Sequence, residues 1–245
     1  MSEVKFYVDG AISFGWKLFK ENWGFLIGVF IINLLIIIIP EFFIEAMLIS
    51  NVGLFLIVNL LHLFVIYMVE IGYLKILITL ARGEGDRLEV MELFRNYHLF
   101  FKYFVGILLY GLIVAIGVVT PIIISILFVS DLIFFFGVVL GVIIGIILAI
   151  KFFFVDYFIV DQELGPLEAL ERSAEVTEEI KGELFLFMIV ILLINIVGAL
   201  VLLLGLLVTV PVTGLAMAYV YCKLNEDYED EELEERLLLE AGFDL

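Results

Sequence analysis

Seventeen consecutive residues, Trp23 to Ile39, carry no charge, and four longer stretches that are mostly apolar follow at Val52–Leu80, Tyr103–Val129, Leu132–Val160 and Leu184–Leu224. A helix rises about 1.5 Å per residue, so roughly 20 apolar residues cross the hydrocarbon core of a bilayer. The last stretch holds 41 residues with Pro211 inside it. That is too long for one crossing, and it reads as two helices joined by a tight turn between Gly198 and Gly205. The prediction is therefore an all-α integral membrane protein with six spans, at about 23–39, 52–80, 103–129, 132–155, 184–200 and 204–224. Pro40 is expected to end the first span and Pro121 to kink the third, because proline removes a backbone donor. Composition agrees: 64% of residues are hydrophobic and the mean hydropathy is +1.21, whereas soluble domains are roughly half apolar.

The basic residues test this count. With the N-terminus in the cytoplasm, Lys5, Lys17 and Lys20 precede the first span, and Lys75, Arg82, Arg87, Arg95 and Lys102 cluster in or beside the second connection. Lys151, Arg172 and Lys181 go with the fourth connection, and Lys223 and Arg236 follow the last span. All 13 bases fall on one side, and the opposite turns carry only Glu41, Glu45 and Asp131. This is the positive-inside pattern, and a wrong number of spans would scatter it. Both termini are thus expected in the cytoplasm. The net charge of −17 is concentrated in the acidic tail 225–245, which holds ten acids and one base. The tail reads as a solvated appendage or a short helix able to meet a cation or a basic cytosolic partner.

The charge balance also excludes functions. Without a Lys/Arg cluster there is no footprint for nucleic acid and no polybasic patch for anionic headgroups. A single cysteine, Cys222, precludes an internal disulfide and a thiolate metal site, and two histidines leave no histidine-rich one. No metal or cofactor is expected. No cleavable signal is evident before Trp23, so the first span is expected to act as its own insertion signal.

Each of three predicted helical hairpins is preceded by a cytoplasmic amphipathic segment. These are an interfacial helix over 8–21 ("AISFGWKLFKENW"), a second over 87–102 ("LEVMELFRNYHLFFKY") and a third over 166–181 ("PLEALERSAEVTEEIKG"). They begin roughly 80 residues apart, as a repeated supersecondary unit would. In the third, Gly165-Pro166 is a helix start. Helical spacing puts Leu167, Leu170, Ala174 and Thr177 on one face. Glu168, Glu171, Arg172, Glu175 and Glu178 fall on the other, with Glu168 and Arg172 as an i,i+4 pair. The carboxylates of 155–177 then face the cytosol, as a solvated surface more than a catalytic cluster.

The stretch "FFFVDYFIVDQELGPLEALERSAEVT", with "GYLKILITLARGE" and "AISFGWKLFKENWGFLIG" upstream, resembles a broad prokaryotic membrane superfamily. That superfamily includes the membrane domain associated with glycerophosphoryl diester phosphodiesterases and related six-helix families of unknown function. Its signature is an aromatic-rich span end, an acidic step, Gly-Pro, Ala-Leu, a basic residue and serine. The matching positions here are Asp161, Gly165, Pro166, Ala169, Leu170, Arg172 and Ser173. Ala174 stands where a bulky aromatic is usual, and residues 178–180 lengthen the path to Lys181. The resemblance covers about residues 10–224 and implies architecture more than activity, since catalysis in the phosphodiesterase fusions belongs to a separate soluble barrel.

Three further groups are singled out. Asn59, His62, Glu70 and Tyr73 lie within about a quarter of the circumference of the second span at 100° per residue. Counting from Val52, His62 falls near mid-membrane and Glu70 near the inner interface. Intramembrane ionisable groups are costly and point to function. This stripe either lines a proton or solute path or supplies hydrogen bonds between helices, and Asn33 and Asn195 are further candidates for interhelical contacts. Gly137, Gly141 and Gly145 form a G-x-x-x-G-x-x-x-G row that packs a helix closely, against this chain or another copy. Because no P-loop, dinucleotide turn, zinc-protease helix or nucleophile elbow is present, a non-enzymatic scaffold, lipid-interacting or envelope-homeostasis role is expected. The expected partners are membrane lipid and a cytosolic or membrane protein. A small transporter or channel, and more distantly a lipid-modifying enzyme, are the alternatives.

Overall fold

The computed structural model describes residues 6–85, 88–128, 130–201 and 203–240, with backbone alone for 42, 45–50 and 227–240. Every regular element among these residues is helical. In order they are α1 (Val8–Ser50), α2 (Val52–Ala81), α3 (Glu92–Arg95), a 3₁₀ turn (Tyr97–Leu99) and α4 (Phe100–Ile126), then α5 (Asp131–Lys151), α6 (Val155–Gln162), α7 (Pro166–Val176), α8 (Lys181–Leu200) and α9 (Leu206–Glu240). Six helical stretches are long and apolar enough to cross a membrane. This is a multi-pass membrane protein.

The chain divides into two compact units, Met1–Tyr97 with Leu186–Leu245, and His98–Phe185. In the first, α1 packs on α9 and α2, and α2 also carries α3 and meets α9. Its core gathers at one end of these helices: Ala11, Leu26, Ile71, Ile76, Ile78, Leu215, Ala218 and Val220 are fully enclosed. Gly72 sets the seat of α3, because a Cβ there would run into the backbone of Leu93. Phe14 stacks on Tyr219 with ring centres 4.4 Å apart, and Phe6 meets Phe187 edge-on at 5.5 Å. In the second unit α4 packs along α5 and receives α6 and α7. Phe154, Phe158, Ile159 and Ala169 are fully enclosed there. By contrast Leu108, Leu112, Ile116 and Ile123 of α4 and Leu140, Ile143 and Ile147 of α5 are exposed. Those apolar stripes need a hydrocarbon solvent, and the helix satisfies its own backbone there.

Several boundaries differ from the sequence-based expectation. Pro40 does not end the helix: α1 continues through it to Ser50, and the backbone leaves helical values earlier, at Asn22 (φ −122°, ψ 18°). The segment 87–102 is not one interfacial helix. Residues 86–87 lie outside the described residues, one helical turn forms at α3, a 3₁₀ turn follows and α4 begins at Phe100. The third segment ends its helix at Val176, with Thr177 as cap, instead of running to Lys181. The fourth span is broken after Lys151, and α6 resumes at Val155. The acidic tail continues α9 as helix to Glu240, and residues 241–245 lie outside the described ones.

Candidate functional site

The polar stripe of α2 is positioned by how α2 lies against α1. His62 Nε2 is 3.1 Å from the carbonyl oxygen of Ile36, and the Tyr73 ring lies 6.3 Å from that of Phe30. These two contacts place the stripe against the uncharged run of α1. His62 sits beside the end of the uncharged run of α1, not at its middle. Glu70 lies about one turn from Tyr73, and Phe30 is roughly 10 Å from Trp23 and roughly 14 Å from Ile39 at the helical rise. Glu70 is therefore the residue at mid-run.

The four side chains do not converge. His62 is 8% exposed and turned onto α1. Asn59 donates to the Phe55 carbonyl of its own helix at 3.0 Å. Glu70 is exposed, and Tyr73 buries its hydroxyl with no hydrogen-bond partner among the described residues. A common angular sector thus contains one residue on the neighbour helix, one on its own backbone, one facing outward and one buried with its hydroxyl unpartnered among the described residues.

The His62 contact has a cause that the stripe does not suggest. In an unbroken helix the Ile36 carbonyl would accept from the amide of residue 40, but that residue is proline and has no N–H. His62 supplies the missing donor from the next helix. Its other ring nitrogen, Nδ1, lies 3.6 Å from Glu41 Oε1, whose side chain is 54% exposed.

Asn195 also works between helices: its Nδ2 donates to Ile191 O in α8 and to Thr213 Oγ1 in α9, both at 3.1 Å. Asn33 is half-buried within α1, and its side chain makes no hydrogen bond among the described residues. The glycine row packs within the chain: a Cβ on Gly137 would strike Ser125 and the Pro121 carbonyl, one on Gly141 the Val118 carbonyl, and one on Gly145 the Val118 side chain.

The residues of the Asp161–Ser173 signature belong to a joint within the second unit. Where α5 breaks, Ser173 Oγ accepts the Phe154 amide at 3.1 Å and donates to the Lys151 carbonyl at 3.3 Å. Thr177 Oγ1 reaches the same carbonyl at 2.9 Å. Two hydroxyls, one from α7 and one from its cap, thereby satisfy the groups freed between α5 and α6. Gly165 caps α7, Pro166 takes its first position and Glu168 Oε2 accepts the Gly165 amide at 3.4 Å. The inward face is Ala169, Leu170, Ser173, Val176 and Thr177, and Leu167 is 73% exposed, so the apolar face is rotated from the expected one. Arg172 lies 3.8 Å from Glu175, while Glu168 serves as the cap. Asp161 is half-buried at the end of α6. Just beyond it Glu163 takes a left-handed conformation (φ 55°), its carbonyl accepting from Lys102 and its carboxylate 3.3 Å from His98 Nε2. The sequence did not reveal Ser173 and Thr177 as a joint, because their partners are backbone groups twenty residues away.

Two grooves accompany these features. One of about 660 Å³ is lined by Val8, Asp9, Ile12, Ser13, Trp16 and Val190, and the Lys20 amine lies 5.9 Å from the Trp16 ring. Another of about 290 Å³ opens between α4 and α5 at Pro121 and Gly137.

Searches against protein-family models, curated proteins and solved structures returned no match for this chain.

Proposed function

We propose that the protein is a non-enzymatic component of a prokaryotic cytoplasmic membrane, acting as a scaffold or lipid-interacting protein in envelope homeostasis. In this reading the six spans form three hairpins with both termini in the cytoplasm, each hairpin preceded by a cytoplasmic segment, as in the six-helix superfamily that the 152–177 stretch resembles. One observation carries the functional part. Polar side chains of the spans and of the joint are spent on architecture: His62 on the Ile36 carbonyl, Asn195 on Thr213, and Ser173 and Thr177 on the Lys151 carbonyl. A side chain committed to a buried backbone acceptor is costly to redirect toward a solute. The groove lined by Val8, Ile12, Trp16 and Val190, with Asp9 and Ser13, supports the lipid side of the reading, since an acyl chain fits a mostly apolar groove.

Transport along α2 is the second reading, favoured by the exposed carboxylate of Glu70 at mid-run. Flux measurements in proteoliposomes separate the two. The scaffold reading expects proton and cation leak equal to that of protein-free vesicles, unchanged in His62→Leu/Glu70→Gln. Flux that the double variant abolishes while it still folds establishes transport instead. Native mass spectrometry in the same preparation is expected to find phospholipid retained on the protein.

A further inference from the structure

We infer that Glu70 is the docking point for a partner membrane protein, one of whose transmembrane helices lies along α2 and brings a lysine or arginine to the carboxylate. The inference rests on the scaffold reading and names the chemistry of what is held. Glu70 is exposed at mid-run and makes no hydrogen bond or ion pair among the described residues. A carboxyl group facing hydrocarbon is costly, whether it is charged or carries a proton with no acceptor.

Its surroundings share that condition. Phe30 and Tyr73 meet across the contact of α1 with α2. Asn33 and Glu70 each lie three residues from that pair, in the adjoining tier of the two helices. The Asn33 side chain and the buried Tyr73 hydroxyl have no hydrogen-bond partner among the described residues. Packing of the chain on itself therefore uses His62 and Asn59 and leaves polar groups over at the level of Glu70.

The shape of the surface selects a helix as the occupant. Val52, Leu56 and Leu63 fall within about 40° of Glu70 at 100° per residue, and all four are exposed. They form a stripe roughly 27 Å long at the helical rise. It is apolar apart from Glu70 itself and Asn59, which bonds its own backbone. A small solute needs a cavity that encloses it, whereas a stripe of this length matches a second helix. Charge then selects the partner. Lys75, the nearest base on α2, lies about 140° round the helix from Glu70. Lysine and arginine are absent from residues 23–39, 52–74, 103–129, 132–150, 184–200 and 204–222, so a second copy of this chain has no such base to offer at this depth. A different chain with one base near the middle of its span pairs with Glu70, and each charge offsets the cost of the other.

The probe is a synthetic transmembrane peptide of about 20 leucines with one lysine at its centre, its binding followed by energy transfer from the dye-labelled protein in phosphatidylcholine vesicles. It is expected to bind about tenfold more tightly than the all-leucine peptide. Moving the lysine about seven residues, roughly 10 Å, toward either end is expected to remove that advantage, and so is Glu70→Leu. Without peptide, Glu70→Leu is expected to melt at a higher temperature than the wild type, because it removes an uncompensated carboxyl group. Equal binding of the lysine and leucine peptides, or an advantage that survives Glu70→Leu, refutes docking at Glu70. Self-association of the wild type that Glu70→Leu abolishes would assign the face to a second copy, and a lower melting temperature for Glu70→Leu would make the carboxylate a structural group; either result overturns the inference. The scaffold reading is judged separately, by the flux measurement, so the two fail independently.

Discussion

If His62 replaces the amide that Pro40 lacks, the two residues are thermodynamically coupled, and a double-mutant cycle measures that coupling. His62→Leu in the wild-type background leaves the Ile36 carbonyl without its donor in the interface between α1 and α2. An unsatisfied buried carbonyl costs about 1–3 kcal/mol, and interhelical hydrogen bonds in membrane proteins reach about 1.7 kcal/mol. A loss of roughly 1–2 kcal/mol follows. In a Pro40→Ala background the residue-40 amide returns to the Ile36 carbonyl, and the same His62→Leu change is expected to cost under about 0.5 kcal/mol. The coupling energy is then roughly 1–1.5 kcal/mol, well above the scatter for independent sites. Pro40→Ala alone is expected to stabilise α1, since proline is about 3 kcal/mol less favourable than alanine within a helix. Reversible unfolding in mixed micelles, followed by far-ultraviolet circular dichroism, gives the four free energies. Equal costs of His62→Leu in the two backgrounds would refute the replacement of the amide.

Two other expectations follow from the second unit. Ser173→Ala removes an acceptor for the Phe154 amide and a donor to the Lys151 carbonyl in a fully enclosed site, so it should destabilise by about 1–3 kcal/mol. The same unfolding assay checks it, and a neutral result would mean that Thr177 alone holds the joint. Gly141→Ala should be destabilising by about 1–3 kcal/mol, because its Cβ meets the Val118 carbonyl. Gly111→Ala, with open space around it, should be neutral or stabilising by up to about 1 kcal/mol. Equal effects at the two glycines would contradict the close packing of α4 on α5.

What was legible in the sequence depended on local signals. The apolar runs announced helices, the Gly-Pro pair announced the start of α7, and the glycine row announced a close helix contact that the structure assigns to α4. Helix α8 ends at Leu200 and α9 begins at Leu206, so the break falls where the two glycines predicted it. The failures share one cause: the deciding partner was distant in sequence. Pro40 was read as a stop because no local residue replaces its amide, whereas His62 does so from the next helix. The 87–102 segment was read as a helix from its apolar spacing, whereas the seat on Gly72 holds only a single turn around Leu93. The angular stripe on α2 was legible as an angle, but helical phase alone does not say which flank a neighbour covers. His62 and Glu70 are 80° apart at 100° per residue, enough for one to be buried and the other exposed.

The most direct test of the account is water access along α2. In proteoliposomes of a Cys222→Ala chain, single cysteines at Asn59, Ile66, Glu70 and Tyr73 would be challenged with a membrane-impermeant maleimide, which needs a hydrated thiolate to react. If the polar residues of the spans serve architecture, Ile66→Cys, Glu70→Cys and Tyr73→Cys stay unlabelled from either side of the membrane. Labelling that continues down Asn59→Cys, Ile66→Cys, Glu70→Cys and Tyr73→Cys would reveal a water-filled path and contradict the account.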